Sequence, residues 1–123
     1  MPTVSDEVRD QGLDWAITTG TRLEICSTDP GLTYATVTGN TLGNKASYTV
    51  GATTDGDVSG RKVVCPQVTD GSVTSTGTAT HWALHNGTDT VVASGAFDAS
   101  FAVSSGNTWG TDAAFDIEIL DAA

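Results

Sequence analysis

At 123 residues with a net charge of −10, the chain fits one domain, long enough to bury about two-thirds of its unfolded surface without help from metals or disulfides. Its five basic residues, Arg9, Arg22, Lys45, Arg61 and Lys62, form no stripe, so the counterion-release term behind nucleic-acid binding is missing and anionic membrane surfaces are disfavoured. Fourteen Gly, twenty-one Thr and ten Ser describe short strands joined by turns and argue against a helical bundle, and no apolar run approaches the ~18–20 residues of a membrane span.

These features predict a mostly β fold: a single-domain antiparallel β-sandwich or flattened barrel with one N-terminal helix. Residues 1–20 are expected as a helical arm and residues 21–123 as the β-sandwich domain. The N-terminus carries neither a basic n-region nor an apolar h-region, which gives the expectation of a chain made in the cytoplasm.

In chain order, Val4 to about Thr18 is the helix candidate. Val4, Val8, Leu13, Trp15 and Ile17 form its ragged apolar stripe, Thr3 or Ser5 its cap, and Gly20 its stop. It reads either as a cover over one open end of the sandwich or as a detachable arm reaching a neighbouring subunit. Arg22–Ser27 alternates with period two, setting Leu23 and Ile25 inward and Arg22, Glu24 and Cys26 on the other face, until Thr28-Asp29-Pro30-Gly31 turns the chain. Short strands are expected at Tyr34–Val37 and Ser47–Val50, with an aperiodic loop from Gly39 to Lys45 between them. Arg61–Val68 is a strand placed at an edge or a bulge by Pro66, and Asp70-Gly71 turns into Ser72–Thr76.

The segment Thr80–Gly95 is the centre of the pattern, a β-hairpin with its tight turn at or next to Asn86-Gly87. Trp82, Leu84, Val91 and Ala93 fall on its core face, and burying an indole there requires a second layer. Ala96–Val103 follows as a further alternating run, and Ser104–Asn107 as a turn. Ala114–Leu120 is the last strand, with Phe115, Ile117 and Ile119 inward and Asp116 and Glu118 outward.

Chemistry is sparse. His81 and His85, four apart on a strand, lie ~13 Å from one another, too far for one tetrahedral zinc, and read as polar-face histidines near a turn. Asp55-Gly56-Asp57-Val58-Ser59-Gly60 matches the first half of a calcium loop, but the position of the closing Glu is Pro66. There is no nucleophile elbow, and neither cysteine sits where its pKa would fall. Asp116 and Glu118 share a strand face as sequence neighbours, a poor source of a hydrolytic cleft. Trp82 reads as core and Trp109, between Asn107 and Gly110, as the exposed aromatic able to stack on a sugar. Cys26 and Cys65 are buried free thiols, an intramolecular disulfide or an intersubunit disulfide. No catalytic residue, cofactor or metal is expected.

Three segments carry a resemblance: Arg22–Ser27, Asp55–Val63 and Gly77–Leu84. From about Leu13 to Leu120 the chain resembles a family of small virion structural proteins of tailed phages and prophages of proteobacteria. The resemblance implies a non-enzymatic particle component, first a capsid decoration protein on the outer surface of the head, and second a neck, collar or tail component. It carries over no functional residue. Its implied partners are the major capsid protein or other virion subunits. A homo-oligomer, taken as a trimer, suits a symmetric shell. A −10 protein belongs outside a shell packed with phosphate. The contact candidates are Asn40, Leu42, Asn44 and Lys45 in one loop, Asp55 and Asp57 in another, Trp109, and the N-terminal segment. A glycan-binding β-sandwich module is the alternative from another class.

Overall fold

A computed structural model of the chain describes residues 5–57, 60–111 and 114–119. The order is α1 (Asp6–Thr19), β1 (Arg22–Cys26), α2 (Tyr34–Asn40), β2 (Thr41–Lys45), β3 (Thr53–Asp55), β4 (Arg61–Cys65), β5 (Gly71–Val73), β6 (Gly77–His85), β7 (Val91–Val103), β8 (Thr108–Trp109) and β9 (Phe115–Ile119). The fold is mostly β, and every strand pairing is antiparallel. The larger sheet runs β7-β6-β1-β2-β5-β8 and the smaller β3-β4-β9. The main core joins both sheets and α1: Leu13, Leu23, Ile25, Val63, Cys65, Leu84 and Trp109 are among its buried members.

The predicted N-terminal helix is α1. The Ser5 hydroxyl accepts from the Val8 N–H at 3.4 Å and the Gly20 N–H closes on the Ala16 carbonyl at 2.8 Å, so both ends stop as the sequence implies. Its inward face differs from the predicted stripe. Arg9, Leu13 and Ala16 are buried, whereas Val8 is 62% and Trp15 51% exposed. The helix lies against β4, where Asp10 takes the Arg61 guanidinium at 2.7 Å.

The expected strand at Tyr34–Val37 is helical, and the expected loop at Gly39–Lys45 becomes the end of α2 and then β2, an interior strand of the larger sheet. The Thr36 and Val37 N–H groups fold back to the Thr33 carbonyl at 3.1 Å, and Val37 buries beneath the turn they make, against the reverse face of the larger sheet. Ser47–Val50 is not a strand, yet Tyr48 and Val50 are buried and the Tyr48 N–H bonds the Thr21 carbonyl. Pro66 marks neither an edge nor a bulge: β4 is the middle strand of its sheet and ends at Cys65, one residue before the ring that cannot donate. The predicted Ser72–Thr76 strand is the shorter β5.

The hairpin β6–β7 is present. Its connection is the five residues Asn86–Thr90, in which the Asn86 Oδ1 accepts from the N–H groups of Thr88, Asp89 and Thr90 at 2.9–3.0 Å. Trp82 and Leu84 face the main core, opposite Gly95 and Ala93. Val91 does not, because a register shift between Leu84 and His85 moves it to the reverse face beside Cys26, Val37 and Ala83. After Gly95 the chain does not start a new strand; β7 continues to Val103 through a large bulge. As β6 advances from Ala79 to His81, its antiparallel partner steps back from Phe101 to Ala96, three residues more, and the detour brings the Phe97 and Phe101 rings to 5.1 Å.

Two glycines seat indoles. A Cβ at Gly95 would fall 2.9 Å from the Trp82 ring, and one at Gly71 would fall 2.2 Å from that of Trp109. The last strand, β9, lies at the edge of its sheet with Phe115 and Ile117 packed inward; Ile119, expected inward, is 38% exposed.

Candidate functional site

A deeply buried polar cluster lies on the reverse face of the larger sheet, under α2. Alternation on β1 sends Arg22, Glu24 and Cys26 there, and the antiparallel register sets His85 opposite Arg22. Glu24 is 5% and His85 1% exposed. Glu24 Oε1 meets Arg22 Nε at 3.1 Å and His85 Nε2 at 3.2 Å, the latter off the hydrogen-bond axis; Oε2 accepts the Thr41 hydroxyl. Tyr34 of α2 sets its ring edge-on to His85 at 5.4 Å.

The Gly87 N–H donates to His85 Nδ1 at 2.9 Å, which places the ring proton on Nε2, toward Glu24. Burial pushes the Glu24 carboxyl up, but the contacts from His85, Thr41 and Arg22 together outweigh it and hold the group below its ordinary value. The centre therefore keeps its anion. His85 Nδ1 accepts from the Gly87 N–H, the Thr41 hydroxyl donates to the carboxylate, and the whole is covered. The expectation of a polar-face His85 is thus corrected, since two register neighbours and α2 enclose it. His81 is half-buried, with Nδ1 2.8 Å from the Thr80 hydroxyl.

The cysteines are free and fully buried, Cys65 in the main core and Cys26 in the reverse-face cluster, on different sheets. Burial raises both thiols to about 12, helped by the charge of Glu24 at Cys26 and of Asp116 at Cys65. Neither sulfur reaches the surface, and neither is poised as a nucleophile.

On the smaller sheet the charges pair. Arg61 joins Asp10 at 2.7 Å and Asp55 at 2.6 Å, and Lys62 joins Asp57 at 2.6 Å and Asp116 at 3.2 Å. Hydrogen bonding from Lys62 holds Asp57 below its ordinary range. The carboxylates of Asp57, Asp116 and Glu118 come within 4.8 Å of one another, so the strand neighbours Asp116 and Glu118 do acquire a third partner. Lys62 stands among them as counterion. The two aspartates of the half calcium loop thus spend their charge on Arg61 and Lys62, and Ser59 lies outside the described residues.

A cavity of about 430 Å³ opens beside the β7 bulge, lined by Trp82, Phe97, Asp98, Phe101, Thr111 and Phe115 among others. Its rings pack on each other, Trp82 on Phe115 at 4.6 Å and Phe97 on Phe101 at 5.1 Å. Among the described residues its lining offers one exposed carboxylate, Asp98. Trp109, expected outside, is 4% exposed over Gly71 with its Nε1 donating to the Asn44 carbonyl at 3.3 Å, which removes the residue on which glycan stacking rested.

The other contact candidates divide. Leu42 is core and Asn40, Asn44 and Lys45 are half-buried around an interior strand, with Lys45 paired to Asp70 at 3.0 Å. Asp55 and Asp57 are exposed. No family model, curated protein or solved structure matches the chain.

Proposed function

We propose that this protein is a structural subunit of a tailed-phage particle, a decoration protein bound to the outer surface of the capsid shell, where it acts through shape and charge. The distribution of charge carries the reading. Of five basic side chains, Arg22, Lys45, Arg61 and Lys62 are spent in ion pairs within the chain and Arg9 is buried, while Glu7, Asp14, Asp29 and Asp98 are exposed. A surface of that sign is repelled by packaged phosphate and suited to the solvent side of a shell. The framework fits the same role: closely packed antiparallel sheets, buried thiols and a covered ionic centre supply rigidity.

Counting the protein in purified particles of the phage that encodes it tests this. Hundreds of copies per particle are expected. Six or twelve copies would move it to the neck or tail, and absence from particles would overturn a structural role.

A further inference from the structure

The stripe predicted as the buried face of α1 contains its two most exposed apolar side chains. Val8 and Trp15 are seven residues apart, so they share a helix face, and Gly12 lies between them at the i+4 position. Beyond Gly12 the patch continues onto β9, since a Cβ at Gly12 would stand 3.4 Å from Ile119 Cδ1. The side chains beside this stripe are Glu7, Gln11 and Asp14, all exposed, and the one cation of the helix, Arg9, is turned inward and buried.

Two features of this face are costs without a return inside the chain. An indole half in water forgoes the burial for which such a side chain is selected. A glycine in the middle of a helix is less favourable than alanine, and here the nearest atom is the mobile tip of an isoleucine at van der Waals distance, so the chain's own packing does not require it. Both costs are recovered if another surface closes over the stripe, with Val8 and Trp15 entering pockets and Gly12 letting the backbones approach.

The charge around the stripe selects what that surface is. A second copy of this chain would set Glu7 and Asp14 of each helix against their counterparts on a molecule of net charge −10, whose lysines and arginines are, among the described residues, already paired within the chain or buried. We infer that α1 docks through Val8, Gly12 and Trp15 into an apolar groove rimmed by lysine or arginine on the shell protein, an inference that rests on the proposed place on the capsid. The helix is then the attachment and the sheets the body it holds in place.

The test uses heads from particles that lack this protein, mixed with the purified wild-type chain and with Trp15→Gln, Val8→Gln and Gly12→Leu variants. Far-UV circular dichroism and the melting temperature serve as the check on folding. Wild-type protein is expected to saturate the heads and to bind more weakly as salt rises. Trp15→Gln should weaken binding about 30-fold or more at an unchanged melting temperature, with smaller losses for Val8→Gln and Gly12→Leu. The double reversal Glu7→Lys with Asp14→Lys should also weaken binding. Wild-type binding that none of these variants disturbs would overturn the inference and leave the capsid role standing. Failure of the wild-type chain to bind heads would overturn the capsid role and, with it, the groove named here. Concentration-dependent dimerisation abolished by Trp15→Gln would assign the stripe to a second copy and overturn it as well.

Discussion

On the inner face of the larger sheet, Leu23, Ile25, Leu84 and Trp109 are buried among other apolar side chains, whereas on the reverse face Glu24 and His85 are buried as deeply and are held by each other, Arg22 and Thr41. The same strands, β1 and β6, supply both faces. The inner face depends on shape, so its stability should be indifferent to pH and salt. The reverse face depends on a carboxylate remaining charged out of water. It therefore titrates, and the Thr41 hydroxyl bond to Glu24 ties β2 to β1 with a directional contact that hydrocarbon would not supply.

The largest effect should come from emptying the inner face. Trp109→Ala removes a buried indole and is expected to cost ~3–5 kcal/mol, measured by denaturant unfolding, with the same loss at pH 7 and pH 4. Overfilling the same place should cost less. Gly71→Ala drives a methyl into the Trp109 ring and is expected to cost ~1–3 kcal/mol, with a change in the near-ultraviolet circular dichroism of the displaced indole.

Glu24→Gln asks the corresponding question of the reverse face. It keeps the shape, removes the charge, and is expected to cost ~1–3 kcal/mol at pH 7. Because the folded carboxyl sits below its ordinary value of 4.5, the stabilisation of its anion is fully present above that value and is lost as pH falls through the folded value. The gap between wild type and Glu24→Gln should accordingly narrow on acidification, while that for Trp109→Ala stays constant. A constant gap for both would erase the distinction between the faces.

The thiols sharpen the comparison, since Cys65 belongs to the inner face and Cys26 to the reverse one. Both are held up to about 12 by burial, so neither should react with a disulfide reagent at pH 8 until the chain unfolds. The smallest effect on stability belongs to the paired charges of the smaller sheet. Lys62→Met leaves Asp57, Asp116 and Glu118 facing one another without their counterion, so it should lower the melting temperature modestly at low salt, and the loss should shrink as salt rises.

Alternation made β1 and β9 legible, although Ile119 at the end of β9 is more exposed than the pattern implies, and Asn86-Gly87 marks the hairpin; β4 starts at the expected Arg61 but ends at Cys65, short of the expected Val68. The misses share a cause, which is burial decided by distant chain. Val8 and Trp15 look like a core stripe, but α1 turns Leu13 and Ala16 toward β4 instead. Leu42-Gly43-Asn44 has no period because a Cβ at Gly43 would meet the Ser72 carbonyl at 2.2 Å; the neighbouring strand, not the local pattern, chose the glycine. His85 looks polar and is enclosed, since Glu24 sits 61 positions earlier in the sequence and reaches it only through the β1–β6 register. The β7 bulge and the inward Trp109 were invisible for the same reason. For Glu24 the sequence does carry a signal, a carboxylate on a strand whose two faces both carry apolar residues.

A reconstruction of the intact particle tests most directly whether the molecule works through its outer surface. From the proposed decoration role, many copies are expected on the outside of the head, each with α1 against the shell and the Lys62–Asp116 face of the smaller sheet toward solvent. Density for the protein within the DNA-filled lumen, or a copy whose α1 faces solvent with another element making the contact, would contradict it.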